Sequence, residues 1–110
     1  MTEAAFKRGL EEICAGRYFE AHEELEEAWR AAPSEERDFL QGLVHVAVAW
    51  YQAGRGRPVA TGSQLEKAAR RLAPFAPVHR GVDVEDVLAQ VEAARARVAA
   101  GSLDLAPPRV

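Results

Sequence analysis

The chain has 110 residues, of which 48% are hydrophobic and 28% charged, a mixture that suits one packed domain and excludes a disordered chain. Its net charge of −3 argues against a general nucleic-acid binder. The single cysteine, Cys14, excludes an internal disulfide, and neither a basic–apolar leader nor a bilayer-length apolar run is present, so the expected setting is the cytoplasm, with no membrane partner.

Helical spacing recurs along the whole chain, and strand-like alternation is sustained nowhere. The first predicted helix spans about 3–15, with Phe6, Leu10, Ile13 and Cys14 on one stripe and Gly16 closing it. This places Cys14 as a small core residue rather than a nucleophile. The second spans about 18–32 and buries Tyr18, Ala21, His22, Leu25, Ala28, Trp29 and Ala32 before Pro33 ends it. The third, 35–54, has Ser34 as its expected N-cap. It is apolar nearly all round from Phe39 to Tyr51, as a buried central helix is. Gly54-Arg55-Gly56 stops it.

The fourth, 61–73, is expected to open with a capping box formed by Thr61 and Gln64. A loop from Pro74 to Gly81 leads to the fifth, 84–100, capped by Asp83 and closed by Gly101. These spans predict an all-α fold, an irregular array of four to five helices around a buried hairpin of helices two and three. Residues 1–102 form the domain, and 103–110, with Pro107-Pro108, form an extended or frayed tail.

Charge is spread unevenly. Residues 1–38 hold 11 acidic against 5 basic side chains. Residues 53–80 hold Arg55, Arg57, Lys67, Arg70, Arg71 and Arg80 against Glu66 alone. The expected result is docking of the acidic segment on the basic one.

The stretch Gly16-Arg17-Tyr18-Phe19-Glu20-Ala21-His22-Glu23-Glu24-Leu25-Glu26-Glu27-Ala28-Trp29 resembles the G-x-Y-F-E-A-H-E-x-L-E-x-x-W signature of domain-of-unknown-function family 309. Phe39-Leu40-Gln41-Gly42-Leu43-Val44 resembles its second block. Tyr51, Arg55-Gly56, Gly62, Leu65, Ala69 and Leu72 resemble its third. The resemblance covers about residues 6–75. It implies a small helical array and brings no known reaction. The family often has Gln at the place of His45 and Asn at that of Arg57, so His45 is not carried over as a family functional residue.

Three groups of residues are candidates for chemistry. His22-Glu23-x-x-Glu26 has the spacing of a zinc-protease helix, with Glu26 in the second ligand position. His22 and Glu26 lie four apart and reach one point beside the helix. Glu23 stands where a general base would sit. His22, Glu26 and His45 are the candidate ligands for a divalent metal, and His22, Glu23 and Glu26 the candidate catalytic residues. The plainer reading is a buried polar network in which His22 and Glu26 bond to each other and to Gln41 or Arg30. The second group is a core or pocket between helices two and three, built from Tyr18, Trp29, Gln41 and His45 with the neighbouring aromatics. The third is the Arg55–Arg57 loop before helix four, a candidate anion site.

These features give three readings of function. The first is a non-enzymatic structural or interaction domain, including a homodimer, stabilised by the His/Glu/Gln network. The alternative is a metal-dependent or acid–base hydrolase-like enzyme using the H-E-x-x-E helix. The third is an anion or RNA-binding module.

Overall fold

The computed structural model describes residues 2–110. Five α-helices follow one another among them: α1 (Thr2–Cys14), α2 (Tyr18–Ala31), α3 (Ser34–Gly54), α4 (Pro58–Leu72) and α5 (Val84–Ala99). Each packs on the next, and α3 lies between α2 and α4 as the central helix. The expected α2–α3 pair is there, and α4 covers the other side of α3 at least as closely. This explains why α3 is apolar nearly all round: Phe39, Leu40, Leu43, Val46, Ala47 and Ala49 are all fully or almost fully buried.

The packing needs small residues where helices approach. A β-carbon on Gly9 of α1 would stand 2.6 Å from Leu25 Cγ of α2. One on Gly42 of α3 would stand 2.6 Å from Leu72 Cγ of α4. At either position a side chain would collide with a leucine of the facing helix.

Helix ends follow the sequence closely, with two exceptions. Gly16 takes φ +80°. Its N–H donates to Ile13 O (3.0 Å) and that of Arg17 to Glu12 O (2.9 Å), the paired bonds of a Schellman motif. The same pairing recurs at Gly56 and Gly101. Asp83 caps α5 as expected, accepting from Asp86 N at 2.9 Å.

The exceptions are α3 and α4. Helix α3 already includes Ser34, and Pro33 occupies the cap position without a side-chain bond. Helix α4 starts three residues early, at Pro58, whose fixed φ and missing N–H suit the first turn. Thr61 is therefore inside the helix and fully buried, its hydroxyl donating back to Arg57 O at 2.7 Å. Gln64 is thus not needed at the helix start, and its side chain turns inward to His45 instead.

The predicted loop before α5 contains a short antiparallel hairpin. After a 3-10 turn at Ala73–Phe75, β1 (Val78–His79) pairs with β2 (Val82–Asp83). Both central residues of its turn have positive φ, Arg80 at +49° and Gly81 at +78°, as a two-residue type I′ turn requires. A positive φ is strained for arginine. Its guanidinium is held by Glu3 (2.7 Å) and Glu36 (3.7 Å) and lies 4.2 Å from the centre of the Phe6 ring.

The tail 103–110 forms neither helix nor strand. It runs back along α5, with Pro108 buried and Leu105 and Val110 packed on the core. Trp50 Nε1 donates to Ala106 O at 3.0 Å. Gln90 binds the Arg109 backbone twice: its Nε2 donates to the carbonyl (2.8 Å) and its Oε1 accepts from the N–H (2.7 Å). Cys14 also departs from expectation. It is exposed at the last position of α1, next to the buried Ile13. No helix is long and apolar enough to cross a membrane among the described residues.

Candidate functional site

Helices α2 and α3 are joined by only two residues, Ala32 and Pro33, so they run antiparallel. The start of α2 therefore faces the end of α3. Between them Tyr18, Phe19 and His22 from α2 and Val48, Tyr51 and Gln52 from α3 line a cleft of about 200 Å³. Phe19 is 46% exposed, unusual for so large an apolar ring, and it forms the outer wall. Its centroid lies 5.1 Å from the His22 ring and 5.6 Å from the Tyr51 ring.

Two polar side chains of the cleft, His22 and Tyr51, have defined partners. The His22 Nδ1–H donates to Phe19 O at 3.0 Å, because a carbonyl can only accept. This leaves Nε2 3.4 Å from Glu26 Oε1, and the contact is an ion pair whenever the ring carries both protons. Arg55 donates to the Tyr51 hydroxyl at 3.0 Å, with its guanidinium carbon 5.5 Å from the ring centroid. Burial, with a smaller contribution from Cys14, pushes the Tyr18 phenol above its usual pKa, so at neutral pH it remains a neutral donor. Gln52 differs in being buried at its oxygen. This Oε1 has no hydrogen-bond donor among the described residues. A buried acceptor without a partner carries a desolvation cost of about 1–3 kcal/mol.

The sequence candidates separate into three places. His22 and Glu26 form the expected i, i+4 pair. Glu23 is exposed on α2 and is not part of the cleft wall. Trp29 and Gln41 lie at the opposite end of the α2–α3 seam, in a groove shared with Glu26, Arg30, Arg37, Asp38 and Arg71. His45 does not join His22 and Glu26. It lies on the side of α3 that faces α4, with Nδ1 donating to Gln64 Oε1 at 2.7 Å. The proposed metal set of His22, Glu26 and His45 is therefore not assembled. No group of three or more His, Cys, Asp or Glu side chains gathers in metal-binding geometry among the described residues. The single His/Glu/Gln network also divides, into a His22–Glu26 pair and a His45–Gln64 pair. In the Arg55–Arg57 loop, Arg55 donates to the Tyr51 hydroxyl, and the exposed Arg57 side chain has no polar partner among the described residues.

His45 is buried and held as the neutral imidazole. Burial lowers its pKa from 6.5; the Gln64 bond opposes this, and the nearby cations Arg71, Lys67 and Arg70 add to it. Below about pH 6.5 the unfolded chain binds a proton at this residue that the folded chain resists. Stability is thus intact above the unfolded pKa and falls as pH drops through the lower folded one. In urea denaturation at pH 8, 6.5 and 5, His45→Gln should show a shallower loss of stability on the acid side than the parent. Parallel pH profiles would show that His45 is not a source of the acid sensitivity.

One histidine was missed. His79 Nε2 sits 2.9 and 3.0 Å from the two Glu36 oxygens, and its ring packs on Phe39 (4.6 Å) and Phe75 (4.8 Å). With Arg80 it fastens the hairpin to α3 and α1. Arg71 pairs with Asp38 at 2.7 Å. The basic middle of the chain thus does dock on the acidic N-terminal segment, through Arg71, His79 and Arg80. The signal in the sequence was Arg80-Gly81 between two valines, a turn flanked by residues fit for strands.

The packing of α2 on α3 and the cleft at their open end both fall within residues 6–62, where the sequence profile of the Domain of unknown function (DUF309) matches. No curated protein and no solved structure matches the chain. The profile covers more than half of the sequence, including the Tyr18–Trp29 helix and the central helix it packs on, and the chain belongs to the DUF309 family.

Proposed function

We propose that this domain is a non-enzymatic interaction module, and that the α2–α3 cleft receives one side chain of a protein partner. The observation that carries the proposal is the unpartnered Gln52 Oε1 in a cleft walled by Phe19, Tyr51, Tyr18 and His22. About 200 Å³ is below the usual size of a site for a whole small molecule and suits a single side chain. Aromatic walls favour a ring, and the free acceptor favours one that carries a donor, as tyrosine and tryptophan do. The setting we assign is the cytoplasm, consistent with an exposed cysteine that has no partner for a disulfide. A second copy of the chain belongs among the partners to be tested, since Phe19 is already exposed at the rim.

The test uses side-chain analogues. In NMR titrations p-cresol and 3-methylindole should give saturable shifts at Phe19, His22 and the Gln52 side-chain amide. Toluene, which has no donor, should bind about fivefold more weakly, the share of one ordinary hydrogen bond. Gln52→Leu should remove that preference. Equal binding of p-cresol and toluene, or no saturation by any of them, would refute the reading.

A second reading, acid–base catalysis by His22 with Glu26 orienting it, is supported by the His22 ring forming part of the same wall. It has less support, because Glu23 lies outside the cleft.

A further inference from the structure

At the other end of the α2–α3 seam lies a larger groove, about 510 Å³, that the sequence did not suggest. Three arginines reach it from three helices: Arg30 from α2, Arg37 from α3 and Arg71 from α4. Each of the two carboxylates that share the groove faces a basic side chain. Asp38 takes Arg71 at 2.7 Å, and Glu26 stands 3.4 Å from His22. That leaves the charges of Arg30 and Arg37 without a carboxylate partner among the described residues.

Two of the guanidinium groups are held in place in advance. Arg37 Nε donates to Ala32 O at 3.3 Å, and its guanidinium carbon lies 5.1 Å from the centre of the Trp29 ring. With Nε occupied and one face against the indole, the two terminal nitrogens remain free. Arg71 is fixed through Asp38, and its Nε is buried with no acceptor among the described residues. A positioned guanidinium with free terminal nitrogens matches the spacing of two oxygens on one carboxylate or phosphate. Gln41 adds an amide to the lining.

We propose that this groove is an oxyanion site, in which Arg37 and Arg30 hold a carboxylate or phosphate group beside the Trp29 indole. The site adjoins the aromatic cleft through the Glu26–His22 contact but does not rest on that reading. It also differs from the Arg55–Arg57 loop, whose first arginine is engaged by Tyr51.

The test follows the Trp29 indole N–H and the Nε–H resonances of Arg37 and Arg71 during titration with inorganic phosphate and, separately, with succinate. Ionic strength is held constant with sodium chloride. The expected result is a saturable shift at all three groups. Arg37→Gln and Arg30→Gln should each weaken binding about tenfold, the loss of a charge-assisted contact. Arg57→Gln should leave it unchanged. Arg30 is exposed, so its variant keeps the fold, which thermal melts verify. Tighter saturation by phosphate would identify a phosphoryl ligand, and tighter saturation by succinate a carboxylate. Shifts that stay linear, or that persist undiminished in both arginine variants, would overturn the proposal.

Discussion

Phe39→Ala is expected to destabilise the protein by about 3–5 kcal/mol, the usual cost of removing a fully buried phenylalanine. The ring is completely inaccessible. It contacts Phe6 of α1 at 6.0 Å, Phe75 of the 3-10 turn at 5.5 Å and His79 of the hairpin at 4.6 Å, measured between centroids. One side chain therefore joins α1, α3 and the 73–83 segment. At roughly 4–8 °C per kcal/mol for a chain of this size, the melting midpoint should fall by about 12 °C or more. Thermal and urea melts measure the loss. The hairpin resonances of Val78–Asp83 should broaden or shift before those of α4 and α5. A loss below about 1 kcal/mol would mean that neighbouring side chains close the space and that the ring is not the joint described here.

Gly42→Ala is expected to cost about 1–3 kcal/mol, even though alanine is by itself the better helix former by about 1 kcal/mol. The new methyl would stand 2.6 and 2.7 Å from Leu72 Cγ and Cδ2 and 3.4 Å from its backbone nitrogen. Leu72 is fully buried and has no open space to turn into, so α3 and α4 must separate. The double variant with Leu72→Ala discriminates this cause from others. Leu72→Ala alone should cost about 2–5 kcal/mol through the cavity it leaves. Combined, the two should cost less than their sum by about 0.5–3 kcal/mol, because the methyl enters the vacated volume. Additive losses would disprove the clash.

The residues that made the fold legible were those with one dominant cost. A helix apolar on every side, such as Phe39–Tyr51, has no stable place except the centre. Gly16, Gly56 and Gly101 each mark a left-handed stop, and Asp83 caps α5 because its carboxylate reaches Asp86 N. Legibility failed where one residue had two comparable uses. Thr61 and Gln64 fit a capping box, yet Pro58 begins the helix earlier and Gln64 bonds His45 across the α3–α4 interface. Spacing along one helix could not reveal that partner.

The candidate site shows the same division. His22 with Glu26 follows from local i, i+4 geometry. Whether His45 joins them depends on which side of α3 faces α2, and an all-round apolar helix gives no sign of that. The convergence of Arg30, Arg37 and Arg71 was hidden for a related reason. They are spread over three helices, and Arg30 and Arg37 belong to the acidic segment, where a count of charge obscures local excess.

The docked tail sets its own limits on sequence variation. Trp50 and Gln90 grip carbonyl and amide atoms at positions 106 and 109, which every amino acid but proline supplies in full. The identities of Ala106 and Arg109 are thus free to drift while the strap stays fastened. The two gripping side chains, and Pro108 in its buried seat, are not.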